Sequence, residues 1–149
     1  MEISEMMIGS AGEHVVCADL LSQGVSAFIA GAGCPYDVVA QVGIKLVRVQ
    51  VKTTARAKLY PQRDQRHVTG YIWSIRQGKN SRRAYTEIHF DVLALVGLDS
   101  RQVAYFKIEE VRQAIQIPVS GHRNTKGIRR FQDFPFSRAI GGNAQEHML

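Results

Sequence analysis

Read for the alternation of apolar and polar positions, the chain opens with a helix. From about Ser10 to Gln23, apolar side chains fall at Val16, Cys17, Leu20 and Leu21, three and four residues apart. Ser10-Ala11-Gly12-Glu13 fits an S-x-x-E capping box at its start, and Gly24 supplies a stop. Short apolar runs follow. Val25 to Ile29 reads as a first strand, Gly31 to Pro35 as a glycine-proline turn, and Tyr36 to Ala40 as a second strand. Gln41 to Gly43 reads as a tight turn and Ile44 to Thr53 as a third strand. From Ala55 to Gly70 the chain turns polar and basic, which predicts an exposed loop or flexible hairpin. Tyr71 to Ile75 is a further strand, and "RQGKNSRRA" after it is a second basic loop. Phe90 to Ile108 reads as strand, turn and strand with Asp99-Ser100 at the bend. Glu109 to Ile115 reads as a short helix, Gly121 to Arg130 as a third basic segment, and the tail from Gly141 as frayed. The pattern predicts a mixed α/β fold, with a central mixed β-sheet of about four to five strands flanked by helices.

Size and composition narrow the class. With 149 residues, 45% hydrophobic and 21% charged, the chain predicts one globular domain spanning residues 1–149. No apolar run approaches the roughly 18–20 residues that cross a bilayer, so no membrane partner is expected. The opening "MEISEMMIGS" holds two glutamates and no basic region, unlike a secretory signal. Two cysteines, Cys17 and Cys34, make neither a CxxC zinc site nor a disulfide framework, and fit reduced thiols in a cytoplasmic protein. Net charge is +6 and the pI about 9.6, a surplus that attracts polyanions. The basic residues concentrate in segments near 55–70, 76–86 and 118–132. These hold Arg56, Lys58, Arg63 and Arg66, then Arg76, Lys79, Arg82 and Arg83, then Arg123, Lys126, Arg129 and Arg130. Such a distribution suits a groove that tracks a phosphate backbone; the plain alternative is three solvated loops.

The stretch "LVRVQVKTT", Leu46 to Thr54, carries the candidate chemistry. Val47, Val49 and Val51 make one face, while Arg48, Gln50 and Lys52 make the other. The preceding strand brings Asp37 near, and the first helix supplies Glu13. Two acids and a Q-x-K pair can thus converge. A hard cation such as Mg²⁺ takes one or two carboxylates and keeps waters, so Asp37, the Gln50 amide oxygen and the Val51 backbone carbonyl form a possible oxygen set. The metal would polarise a phosphodiester and activate a water. Lys52 on the same face can orient that water or neutralise developing charge. Each residue also has a purely structural alternative: Glu13 as the capping-box acid, Asp37 as a turn residue, Gln50 and Lys52 as a solvated stripe. Other chemistry lacks support. "GAG" at Gly31 to Gly33 is no P-loop or dinucleotide fingerprint, "GHRN" at Gly121 to Asn124 has no HNH frame, and His67, His89 and His147 show no ligand spacing.

"PYD" at Pro35 to Asp37, "QVK" at Gln50 to Lys52 and the upstream Glu13 resemble the PD-(D/E)XK nuclease superfamily. The resemblance implies a restriction-endonuclease-like core and a Mg²⁺- or Mn²⁺-dependent endodeoxyribonuclease. Its catalytic residues would be Glu13, Asp37, Gln50 and Lys52; the metal ligands would be Asp37, Gln50 and the Val51 carbonyl, with Glu13 as a possible fourth. Two departures stand out: Tyr36 separates Pro35 from Asp37, and Gln50 replaces the acid of the motif. The Q-x-K form is similar to that of a homing endonuclease encoded by a cyanobacterial group I intron, in which glutamine serves in the active site and four subunits read a long DNA target. The implied function is site-specific DNA cleavage by a homo-oligomer, dimer or tetramer, inside a prokaryotic or phage-infected cell. The alternatives are a Holliday-junction resolvase-like nuclease and a non-catalytic DNA-binding protein on a nuclease scaffold.

Overall fold

The first helix, α1 (Glu5–Ser22), starts earlier than Ser10 in the computed structural model, which describes residues 1–61, 67–75, 89–119 and 129–141. Ser4 is the N-cap: its side chain accepts a hydrogen bond from the Met7 N–H at 3.2 Å, and Glu5 occupies the favoured acidic first turn. Ser10 and Glu13 therefore lie inside the helix, and the capping box read there does not form. The sequence offers two serines six residues apart, and the exposed Met6 and Met7 gave the earlier turn no apolar stripe to announce it. Gly24, at φ +84°, reverses the chain after α1, a conformation that glycine reaches without strain.

Eight strands follow: β1 (Ser26–Ile29), β2 (Val38–Val42), β3 (Lys45–Thr54), β4 (Lys58–Pro61), β5 (His67–Ser74), β6 (Val92–Gly97), β7 (Gln102–Lys107) and β8 (Ala114–Pro118). A five-stranded sheet has the order β1-β2-β3-β6-β7, and it is mixed: β3 and β6 run parallel while its other pairs are antiparallel. One face carries α1 and the short α2 (Phe136–Ala139) over Val16, Leu20, Val38, Val49, Val51, Val92 and Tyr105. The other face packs against a three-stranded sheet, β4-β5-β8, through Trp73, Leu93, Leu95, Phe106, Ile115 and Ile117. Trp73 also donates its indole N–H to the Val96 carbonyl at 3.0 Å, joining the two sheets. Of the loop or hairpin expected over 55–70, the hairpin is what forms: β4 and β5 pair antiparallel.

Two further expectations are corrected. The β2–β3 turn is Gly43-Ile44 rather than Gln41 to Gly43. Gly43 sits at φ +63°, as a two-residue hairpin requires, and Val42 pairs with Lys45. Glu109 to Ile115 is not a helix: a single 3-10 turn (Ile108–Glu110) precedes β8. In β8, Ile115 and Ile117 alternate inward against β5 while Ala114 and Gln116 stay exposed, a period of two that outweighs the helical propensity of the acidic start. Arg63, Arg66, Arg76, Lys79, Arg82, Arg83, Arg123, Lys126 and the tail from residue 142 lie outside the described residues. Among the described residues no helix is long and apolar enough to cross a membrane.

Candidate active site

The site forms where β2 parts from β3. Their last ladder pair is Val38 with Val49, and the Asp37 N–H still donates to the Val49 carbonyl at 3.0 Å. Paired residues share a sheet face, so Asp37 stands opposite Gln50. The Asp37 carboxylate accepts from the Gln50 side-chain amide at 2.8 Å and from the Val51 backbone N–H at 2.9 Å, both on Oδ2. The N–H and C=O of one strand residue point to the same edge. The Val51 carbonyl therefore faces the edge that β2 has vacated, beside Asp37. Lys52 lies two residues from Gln50 on the same face, close enough for its charge to lower the Asp37 pKa.

Glu13 arrives from the opposite face of the sheet because α1 crosses β3 very closely. A Cβ added at Gly12 would lie 1.8 Å from Thr53 Oγ1, so only glycine allows this approach. The crossing brings the Glu13 carboxyl into hydrogen-bonding contact with Asp37. Burial first, and then the neighbouring Asp37 charge and hydrogen bond, raise the Glu13 pKa. Burial also raises Asp37, against the opposing pull of the Val51 N–H, Lys52 and the Glu13 hydrogen bond. The mutual hydrogen bond raises Glu13 and lowers Asp37.

The four residues singled out from sequence thus converge, with the Val51 backbone among them. The arrangement suits a divalent cation: two acids are crowded together against burial, only partly offset by Lys52 and His14, and the amide and carbonyl oxygens widen the donor set. Among the described residues no cluster of three His, Cys, Asp or Glu side chains exists, so an ion here would keep waters in its shell, as Mg²⁺ does. Beyond Lys52 the strand runs into a groove of about 700 Å³, lined by Glu5, Ile8 and Gly9 of α1 and by Thr53 to Arg56 and Lys58. Arg56 and Lys58 are exposed on its wall. Arg129 is exposed as well, while Arg130 pairs with Asp133 at 3.5 Å. The role of Gly12 had no sequence signal beyond a glycine inside a helix and next to the acid.

A mixed sheet with acids, amide and lysine gathered at the fork of two central strands defines a restriction-endonuclease-like fold. The PD-(D/E)XK endonuclease family model matches residues 3–137, and the chain belongs to that family. Its structure is similar to that of the bacterial homing endonuclease I-Ssp6803I, with a TM-score of 0.70 and 18% identity over 97% of this chain and 99% of that one. A weaker likeness, with a TM-score of 0.43 and 18% identity, covers 75% of this chain and 84% of the Archaeoglobus fulgidus Holliday junction resolvase Hjc. Among curated proteins none matches.

Proposed function

We propose that the chain is a divalent-cation-dependent, site-specific DNA endonuclease that acts as a homo-oligomer on double-stranded DNA. The observation that carries this reading is the Asp37 carboxylate, placed opposite Gln50 and in contact with Glu13 at the end of the strand that bears Lys52. Asp37, the Gln50 amide oxygen, the Val51 carbonyl and Glu13 would hold Mg²⁺ or Mn²⁺. The ion would supply charge to polarise a phosphodiester and to acidify a bound water. Lys52 orients the attacking water and offsets negative charge that develops on the phosphate. Arg56 and Lys58 in the adjoining groove, with the other basic segments, hold the flanking backbone. Each chain contributes one such cluster and cuts one strand, so cutting a duplex takes two copies. The match in fold to a homing endonuclease over nearly the whole chain supports a sequence-specific target.

A non-catalytic DNA-binding role is the second reading. It is favoured by Gln50, which replaces an acid and donates its amide N–H to Oδ2 of Asp37. One experiment separates them: incubate a pool of genomic fragments, randomised duplexes and four-way junctions with protein and Mg²⁺ or Mn²⁺, with a chelator control, and sequence the new ends. Ends clustered at one motif and abolished by the chelator are expected. Binding without new ends would establish the second reading.

A further inference from the structure

The charge of this chain is divided unevenly along its length. Residues 1–44 hold five of the 13 acidic residues and none of the 19 lysines and arginines; the first basic side chain is Lys45. From Leu20 to Tyr36 no charged residue occurs at all. This part of the chain builds α1, β1 and β2, the β1 edge of the five-stranded sheet. It also carries eight of the eleven large hydrophobic side chains exposed among the described residues. At the β1 edge, Phe28 is 52% and Ile29 40% exposed.

Among the described residues no strand pairs with the outer edge of β1. Ala30 N–H bonds to the Asp37 carbonyl at 2.8 Å, so the even residues of β1 point toward β2 and the N–H and C=O of Ala27 and Ile29 point outward. Natural edge strands are ordinarily shielded by lysine, proline or a bulge. This one, "SAFI", has none of them and is protected only by its shortness, at four residues.

We propose that β1 is the dimer interface of this protein, and that a second copy of the chain adds its own β1 antiparallel across a two-fold axis. Three observations select that occupant. DNA needs cations, and this surface has none. Two chains of net charge +6 repel each other, and that repulsion is least where their facing surfaces carry no charge. An edge strand is self-complementary, because antiparallel pairing sets each residue of the strand against its own copy or a near neighbour. The sheet becomes continuous through the pair, so both Asp37–Gln50 clusters lie on the same face. For a pairing centred on Phe28 they are on the order of 20 Å apart, from the usual strand spacing and rise. That separation is of the order of a DNA duplex's width; this last point alone rests on the proposed function.

Sedimentation velocity of the full chain, wild type against Phe28→Glu/Ile29→Lys, tests the interface. Circular dichroism confirms that the variant is folded. The wild type is expected to be a dimer or an even multiple, to persist in 1 M salt where charge contacts are screened to about 3 Å, and to halve in mass in the variant. Amide exchange at Ala27 and Ile29 should slow as wild-type concentration rises. A monomeric wild type, an unchanged mass in the folded variant, or an assembly that 1 M salt dissolves would each overturn the proposal. Mass does not depend on cleavage, so a stable dimer that cuts nothing would count against the nuclease reading and leave the interface intact.

Discussion

Glu13 and Asp37 are held against their own repulsion. Both carboxyls have raised pKa values, so the folded chain binds their protons more tightly than the unfolded chain does. The associated stability is present below the ordinary carboxylate range near ~4 and is lost as pH rises through the raised folded values. Glu13→Gln removes one charge and leaves an amide able to donate to Asp37. In chelator the variant should melt higher than wild type at neutral pH, with the gain vanishing toward about pH 4; a lower melting temperature at neutral pH would contradict the crowded pair. Gly12→Ala should cost about 1–3 kcal/mol in denaturant unfolding through overpacking against Thr53, and should lower the cleavage rate by moving Glu13. An unchanged midpoint would mean that α1 does not approach β3 this closely. Gln50 and Lys52 were legible from sequence because strand alternation is a local rule. Glu13 was only half legible, since its freedom depends on Ser4 taking the cap. The Gly12 approach was invisible because its cause is Thr53, distant in sequence.

Register decides whether these residues meet. Had the hairpin turned at Gln41 to Gly43, Asp37 would have faced a residue other than Gln50; the turn at Gly43-Ile44 puts the two opposite each other. At the same end of the parallel β3–β6 pair, Asp91 fixes the alignment. It accepts from the Arg48 backbone N–H at 2.9 Å and pairs with the guanidinium at 3.0 Å. Burial alone would raise the Asp91 pKa, but the side-chain and backbone hydrogen bonds from Arg48 override it and hold the group low. Its contribution is therefore present above the unfolded value near ~3.9 and is lost as pH falls through the lowered folded value. The pair is partly exposed, so Asp91→Ala should cost only about 1 kcal/mol at neutral pH, and less in acid. A loss that is equal at both pH values would argue against the ion pair. The β6–β7 hairpin was legible because its apolar runs are long and its bend is marked. β4 and the start of β5 were not, because their burial comes from the facing sheet and basic side chains dominate the local pattern; β8 was not, because the acidic stretch before it favours a helix.

At the scale of the whole molecule, the basic charge falls after residue 44, while the acids of the site come from before it. On the proposed reading, the chain presents cations to DNA from one part and an uncharged edge to a second copy from another. If the basic segments contact phosphates, DNA affinity should fall about 10³-fold or more between 50 and 200 mM salt for six or more contacts. Arg56→Ala should reduce the slope of log affinity against log salt by about 0.9. Electrophoretic or fluorescence titration reads both, and a flat response would exclude phosphate contacts. The mixed α/β class was legible from the order of elements. The covering of one face by a second sheet was not, because no local pattern separates a basic hairpin from a basic loop.

The central claim is that Asp37 and Lys52 carry phosphodiester hydrolysis at the β2–β3 fork. Single-turnover cleavage of a selected target with Mg²⁺, comparing wild type with Asp37→Ala and Lys52→Ala while DNA affinity is measured alongside, tests it most directly. The account predicts rates lower by about 10²-fold or more in both variants, with affinity for DNA largely kept. Cleavage at the wild-type rate by either variant would contradict it.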